Sequence, residues 1–314
     1  MTEQGHPWRG YFFIAAATFC WGAAVTFGKA IFNGSFFAGR ALLSPMVITQ
    51  ARTSFTVLVL GTLLFLRYGR KIFRIGRNDL VLCALVGTLG VACSNYFYYL
   101  AVQMSTVSLA ITVQYTAPVW VLLYMVARGK EKGTLRKALA VLIAIIGIAL
   151  VIVLSDPKVS TVGPKAVLHS FLASLGTLGA RAAFLASFGY AFYNVAGEGL
   201  VKRNHQFTIT FYVLLSAALL WLVVNPPWRL VQQHFSTGQW EFLFLFACFS
   251  MVLPYMLYFS GLKYLDPTRA VITSCLEPVF AILFAVTFVH ERLHPLQVAG
   301  IVAVLGATMM VQVQ

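Results

Sequence analysis

The sequence predicts an all-α membrane protein of ten transmembrane helices, arranged as two inverted five-helix repeats. Three observations predict it. Continuous apolar segments fill nearly all of the 314 residues, and only 10% of residues are charged, against roughly 25% in a soluble domain. The segments from about 79 to 153 recur without a gap 160 residues later. The basic residues are sorted by loop, the pattern that sets membrane topology.

The expected spans are 11–32, 46–67, 79–102, 106–127, 136–154, 178–199, 208–225, 240–263, 268–289 and 295–313. Each approaches the ~20 residues that cross a ~30 Å hydrocarbon core. The runs are continuous and not alternating, which favours helices over barrel strands. Arg9 is the one basic residue ahead of the first span. That span is longer than the apolar run of a cleaved signal peptide, so it is expected to remain as a helix.

In the self-match Tyr98 falls on Tyr258, Ala110 on Ala270, Pro118 on Pro278, Val119 on Val279, Leu123 on Leu283, Val126 on Val286 and Glu131 on Glu291. A five-helix unit is odd in number, so its second copy enters the membrane from the opposite side. The expected units are 1–154 and 178–314, joined by a polar outside linker at 155–177 that carries Asp156, Pro157, Gly163 and Pro164.

A net charge of +14 would suggest a nucleic-acid partner in a soluble protein. Here Arg67, Arg70, Lys71, Arg74 and Arg77 crowd one loop, and Arg128, Lys130, Lys132, Arg136 and Lys137 another. With both termini cytoplasmic, fifteen basic residues lie inside and seven outside, and Arg52 lies within a span. The bias reverses between the copies, since the 128–137 loop is basic and its equivalent at 288–297 has Arg292 alone. The charge is therefore read as topology, with no nucleic acid as partner. Trp8, Trp228 and Trp240 stand at span edges, where amphipathic rings anchor against lipid headgroups. The five cysteines lie within spans without metal-ligand spacing and are expected as free thiols.

Pro118 with Glu131 thirteen residues on, and Pro278 with Glu291 thirteen on, form a paired signature. Leu293, Gln297 and Gly300 extend the second copy; Trp21–Gly22, Arg52 and Glu277–Pro278 stand elsewhere. Together these residues resemble the drug/metabolite transporter superfamily, EamA type, over essentially the whole chain. The chain departs from that pattern where the family often has Gly before the Glu: Lys130 and His290 stand there, and Ala140 is opposite Gly300. The resemblance implies a ten-helix carrier with a central cavity, often an exporter of amino acids or other small metabolites.

Candidate site residues follow from polar or aromatic chemistry inside apolar spans. Glu277 sits mid-span, where a charge costs roughly 2.5–3.5 kcal/mol. It is read as a proton site or a partner for a substrate amine; structurally, it could instead donate to the carbonyl freed by Pro278. Arg52 could fork onto a carboxylate or snorkel outward, with snorkelling preferred. Lys29 and Arg181 are expected to snorkel, and Glu198 to pair with Lys202. Trp21 and Trp120 are too deep to be interface anchors. Tyr98, Tyr115, Tyr190 and Tyr258 carry hydroxyls that need partners, as do Gln114, Asn194 and Ser274; packing and interhelical bonds are the alternative roles.

The function expected is secondary transport of a small solute, zwitterionic or neutral with an apolar part such as an amino acid. Alternating access would operate between the two inverted five-helix halves, with the cavity between helices 1, 3, 4 and helices 6, 8, 9. Export follows from the resemblance, proton coupling is the role tested at Glu277, and a cell inner (plasma) membrane is the expected location. A multidrug efflux carrier and an intramembrane enzyme are the alternatives. All six histidines lie in loops or at span ends and no two acids share a span centre, which argues against enzyme chemistry. No cofactor or metal is expected.

Overall fold

The structure is a computed structural model that describes residues 7–34, 43–130, 132–154, 176–262, 264–265 and 267–312; at 198, 202, 267, 268, 271, 272 and 312 it describes the backbone alone. The expected 155–177 linker falls almost wholly outside the described residues, as does Glu131, and so does the proposed Glu198–Lys202 pairing of side chains.

Every regular element among the described residues is helical. Helix α1 spans Pro7–Phe32 and α2 spans Pro45–Tyr68. Ser44 starts α2 by accepting the Val47 N–H at 3.3 Å, with Pro45 at the first helical position. A rod then runs through α3 (Arg77–Leu85), a π-helical stretch (Val86–Ala92) and α4 (Cys93–Met104). Next come α5 (Val107–Gln114), α6 (Ala117–Ala127), α7 (Leu135–Leu154), α8 (Leu178–Arg203) and α9 (Gln206–Val224). The short α10 (Pro227–Gln232) precedes a second composite rod, α11 (Thr237–Ala247), a π-helical stretch (Cys248–Val252) and α12 (Leu253–Gly261). The chain ends with α13 (Pro267–Ser274), α14 (Leu276–Phe288) and α15 (Pro295–Gln312). Seven of these rods are long and apolar enough to cross a membrane, and Leu276–Phe288 and Pro295–Val311 are shorter apolar helices.

The prolines do more than kink their helices. Pro118 and Pro278 have no N–H to give, and the chain leaves helical geometry just ahead of each, at Tyr115–Thr116 and at Cys275. The two π-helical stretches also fall in matching places, 88–92 lying 160 residues before 248–252.

Small residues decide which helices meet. A Cβ on Gly10 would stand 2.6 Å from Leu265 and 3.1 Å from the Gly261 carbonyl, and one on Gly22 would stand 2.8 Å from Phe280 and from the Ala281 nitrogen. These glycines seat α1 against α12 and α14. Gly189 meets Ser94, and Gly179 meets Ser105, which seats α8 against α4. The first helix of each half thus packs on the opposite half. Two walls result, α1 with α12–α14 and α4–α6 with α8. Beside both walls, α7 and α15 lie together at Gly147 and Gly300, each glycine against the other's carbonyl. Helices α2, α9 and α11 pack alongside.

His290, in the place where the family often has glycine, has φ 57°. An L-residue in that region costs roughly 1–2 kcal/mol, and the strain positions Glu291 just past α14, with its N–H on the Ala285 carbonyl at 3.0 Å. Substituting His290→Gly should stabilise the fold by about 0.5–1 kcal/mol once glycine's extra chain entropy is set against the relieved strain. A higher apparent melting temperature in detergent micelles is the expected result; a lower one would mean that the imidazole itself holds the turn.

Candidate functional site

The centre of the site is the break between α13 and α14. Pro278 cannot bond the carbonyl one turn back, at Ser274, and that carbonyl would be costly to leave bare in an apolar bundle. The Tyr115 hydroxyl, arriving from the other broken helix, lies 3.1 Å from the Ser274 carbonyl oxygen and 2.9 Å from Oε2 of Glu277. The freed carbonyl thus has the Tyr115 hydroxyl within reach, and no bond from Glu277 of the kind the structural alternative assigned to it. The hydroxyl has one proton for two acceptors, so its donation to one leaves the other short. The break at Tyr115 is relieved in the same way, by the Thr308 hydroxyl of α15 donating to the Tyr115 carbonyl at 2.8 Å. Glu277 is half-buried in the first turn of α14, where free N–H groups favour an anion.

Arg52 is 7% exposed and does not snorkel. Its Nε–H donates to the Ser250 hydroxyl at 2.8 Å and its terminal nitrogen to the Ser250 carbonyl at 3.3 Å. Ser250 lies in the π-helical stretch between α11 and α12. The guanidinium carbon stands 4.9 Å from the Tyr99 ring centre and 5.6 Å from that of Phe246, within cation–π range. No carboxylate among the described residues contacts it, although it is near enough for Glu277 to feel its charge.

Aromatic rings surround these two charges. Trp21 meets Tyr255 at 5.7 Å and Tyr258 at 5.9 Å between centroids. Tyr258 is within hydrogen-bonding range of Ser274, whose own hydroxyl donates to the Ala270 carbonyl at 2.9 Å. Tyr190 stacks on Tyr193 at 6.0 Å. It is 38% exposed and lies close to Glu277, Tyr255 and Tyr258. Two buried polar atoms nearby have no hydrogen-bond partner among the described residues: the Tyr98 hydroxyl and Gln114 Oε1.

The other candidates are placed differently. Trp120 turns to α8, donating its indole N–H to the Ser187 hydroxyl at 3.0 Å and packing at a tilt against Phe188. Asn194 is exposed and donates back to the Tyr190 carbonyl of its own helix at 2.7 Å. Lys29 does not snorkel; its ammonium donates to the Val102 carbonyl at 2.8 Å and to that of Ser105. Tyr255, Ser250 and Phe246 escaped the sequence reading. Tyr255 had a detectable signal, since it lies three residues before Tyr258 and so shares its helix face. Ser250 had none, because its role comes from a backbone widening.

Comparison with known proteins fits this geometry. The chain is 28% identical over 232 residues to a protein of Archaeoglobus fulgidus named as an uncharacterized transporter, covering 72% of this chain and 74% of that one. It is 24% identical over 271 residues to the threonine/homoserine exporter RhtA of Salmonella typhimurium, covering 85% and 83%. A solved crystal structure shares the fold at a TM-score of 0.57 and 16% identity, over 96% of this chain and 95% of the other. The EamA-like transporter family matches twice, at residues 8–153 and 177–313, and the chain belongs to that family.

Proposed function

We propose that this protein is a secondary transporter that exports small zwitterionic metabolites of the amino-acid type by alternating access. The observation that carries the reading is a pair of opposite charges, Arg52 and Glu277, in an aromatic site where neither is salt-bridged to a protein partner among the described residues. A substrate carboxylate suits the guanidinium, whose planar fork can bind two oxygens. A substrate ammonium or a proton suits Glu277. Tyr98 and Gln114 offer further polar contacts, and Trp21, Tyr190, Tyr255 and Tyr258 offer ring faces for an apolar side chain. The similarity to a threonine/homoserine exporter supports the substrate class and the direction. A multidrug efflux carrier is the second reading, favoured by the same ring faces, which would also accept flat apolar cations.

Ten crossings in two inverted halves complete this reading. The double family match, the paired π-helical stretches and the paired broken helices support the repeat. Loop charges support an inner membrane with both termini cytoplasmic. On that topology a cysteine placed at 130 should label with an impermeant reagent from the cytoplasmic face alone, and one at 292 from the outer face alone. Labelling at 130 from outside would overturn the orientation.

Substrate class is tested by counterflow of labelled amino acids, sugars and hydrophobic cations in proteoliposomes. Arg52→Lys keeps the charge and loses the fork. It should weaken apparent affinity for carboxylate substrates roughly ten- to a hundredfold, the worth of charged hydrogen bonds, and spare uncharged analogues. Equal loss for both would assign Arg52 to packing.

Glu277→Gln removes titration and keeps the shape. If Glu277 carries a coupling proton, substrate exchange should persist and a pH gradient should no longer drive accumulation. Weakened binding at every pH would assign Glu277 to the substrate amine instead, and an unchanged pH response would rule out the proton role.

A further inference from the structure

We infer that Lys29 and Glu291 form a two-charge clasp that holds one end of the transport path shut and must release before that end can open. The inference rests on the alternating-access reading and concerns residues outside the substrate site.

Both charges belong to one wall, Lys29 on α1 and Glu291 just past α14. Both grip the same short turn of the other wall, between α4 and α5. Lys29 donates to the carbonyls of Val102 and Ser105, at the end of α4. Glu291 accepts the Val107 N–H at 2.6 Å with Oε1, and the Ser108 N–H at 3.2 Å and hydroxyl at 2.8 Å with Oε2, at the start of α5. The signs match the helix ends: a cation on unpaired carbonyls at a C-terminus, an anion on unpaired N–H groups at an N-terminus. Lys29 also feels the charge of Glu291. One layer deeper, Gly28 lets the Tyr99 ring close against α1; a Cβ there would stand 2.5 Å from Cε1.

The opposite end of the bundle is marked by Gly197 and Gly199, near the end of α8. Gly197 and Gly199 on α8 have nothing beyond their own helix within 4 Å of where a Cβ would stand. Asn194, one turn before Gly197, is exposed. At the Lys29 end the two walls are joined by the polar bonds of the clasp. Their backbone partners are helix ends beside the polar interface, where water can replace the clasp when it lets go. The Gly147–Gly300 contact, made backbone to backbone in the α7–α15 pair, has no such substitute.

The test uses the full chain with Tyr255→Cys as reporter, the native thiols removed, in right-side-out and inside-out vesicles treated with an impermeant thiol reagent. With the clasp intact, labelling should come mainly from the Gly197 face. Glu291→Gln or Lys29→Gln should raise labelling from the Lys29 face several-fold. Lys29→Arg should restore the low level, because it keeps a cationic donor. The double variant should exceed neither single by much, since both release one closed state. A parallel protein keeping Cys83 as its one thiol, buried in the described fold, should stay unlabelled in every variant; its labelling would mean loss of fold and overturn the clasp. Unchanged labelling in Glu291→Gln and Lys29→Gln, with the parent labelled from the Gly197 face, sinks the clasp and leaves alternating access standing. A parent labelled equally from both faces, or from neither, sinks the access reading and the clasp with it.

Discussion

A backbone carbonyl in lipid must find a donor, and two mid-membrane prolines each take one away. Most of the site follows from that constraint. Pro278 frees the Ser274 carbonyl and Pro118 disrupts the chain at Tyr115. The hydroxyl that relieves the first break comes from the residue standing in the second. The breaks are therefore tied to each other across the space between the walls, and Glu277 shares the tie. Any change in the charge of Glu277 alters which acceptor holds the Tyr115 proton, and with it the bond that spans the two broken helices.

The exchange of α1 and α8 between halves gives this tie leverage. Each wall contains one helix contributed by the other half. Gly22 brings α1 against the backbone of Glu277 and Ala281, so α1 and α14 are positioned as one body. Thr26 adds a bond from α1 to the Ala281 carbonyl at 3.3 Å. Glu277 is thus set in a wall of four helices that pack as one group.

The sequence disclosed what depends on side-chain type along one helix. Apolar runs marked the rods, paired prolines marked the breaks, and Glu277, Arg52 and Tyr115 stood out because polar groups in apolar spans are costly. It did not disclose what depends on backbone atoms or on faces. Lys29 read as a snorkelling cation because its partners, the Val102 and Ser105 carbonyls, carry no side-chain signature. Arg52 read the same way because its acceptor is a serine in a widened turn. The pairing of α1 with α12 and α14 rests on Gly10, Gly22 and Gly261 meeting, and many other glycines in the chain could have served as well in a linear reading. His290 is an intermediate case. The sequence showed that a family glycine is replaced there, but neither the left-handed backbone nor what the turn aims.

The widened turn at Cys248–Val252 has a wider consequence. A π-helical turn contains one residue more than the α-helix around it needs, so it works as a phase shifter. Without it, everything beyond would rotate by about 100° about the axis of the rod. Tyr255 and Tyr258 now face Trp21 because of that offset. A family member that lost or gained one residue here would keep its span, its hydropathy and its topology while presenting a different set of side chains to the solute. Substrate range in such a scaffold can therefore change by the length of a single turn, without any substitution at the site.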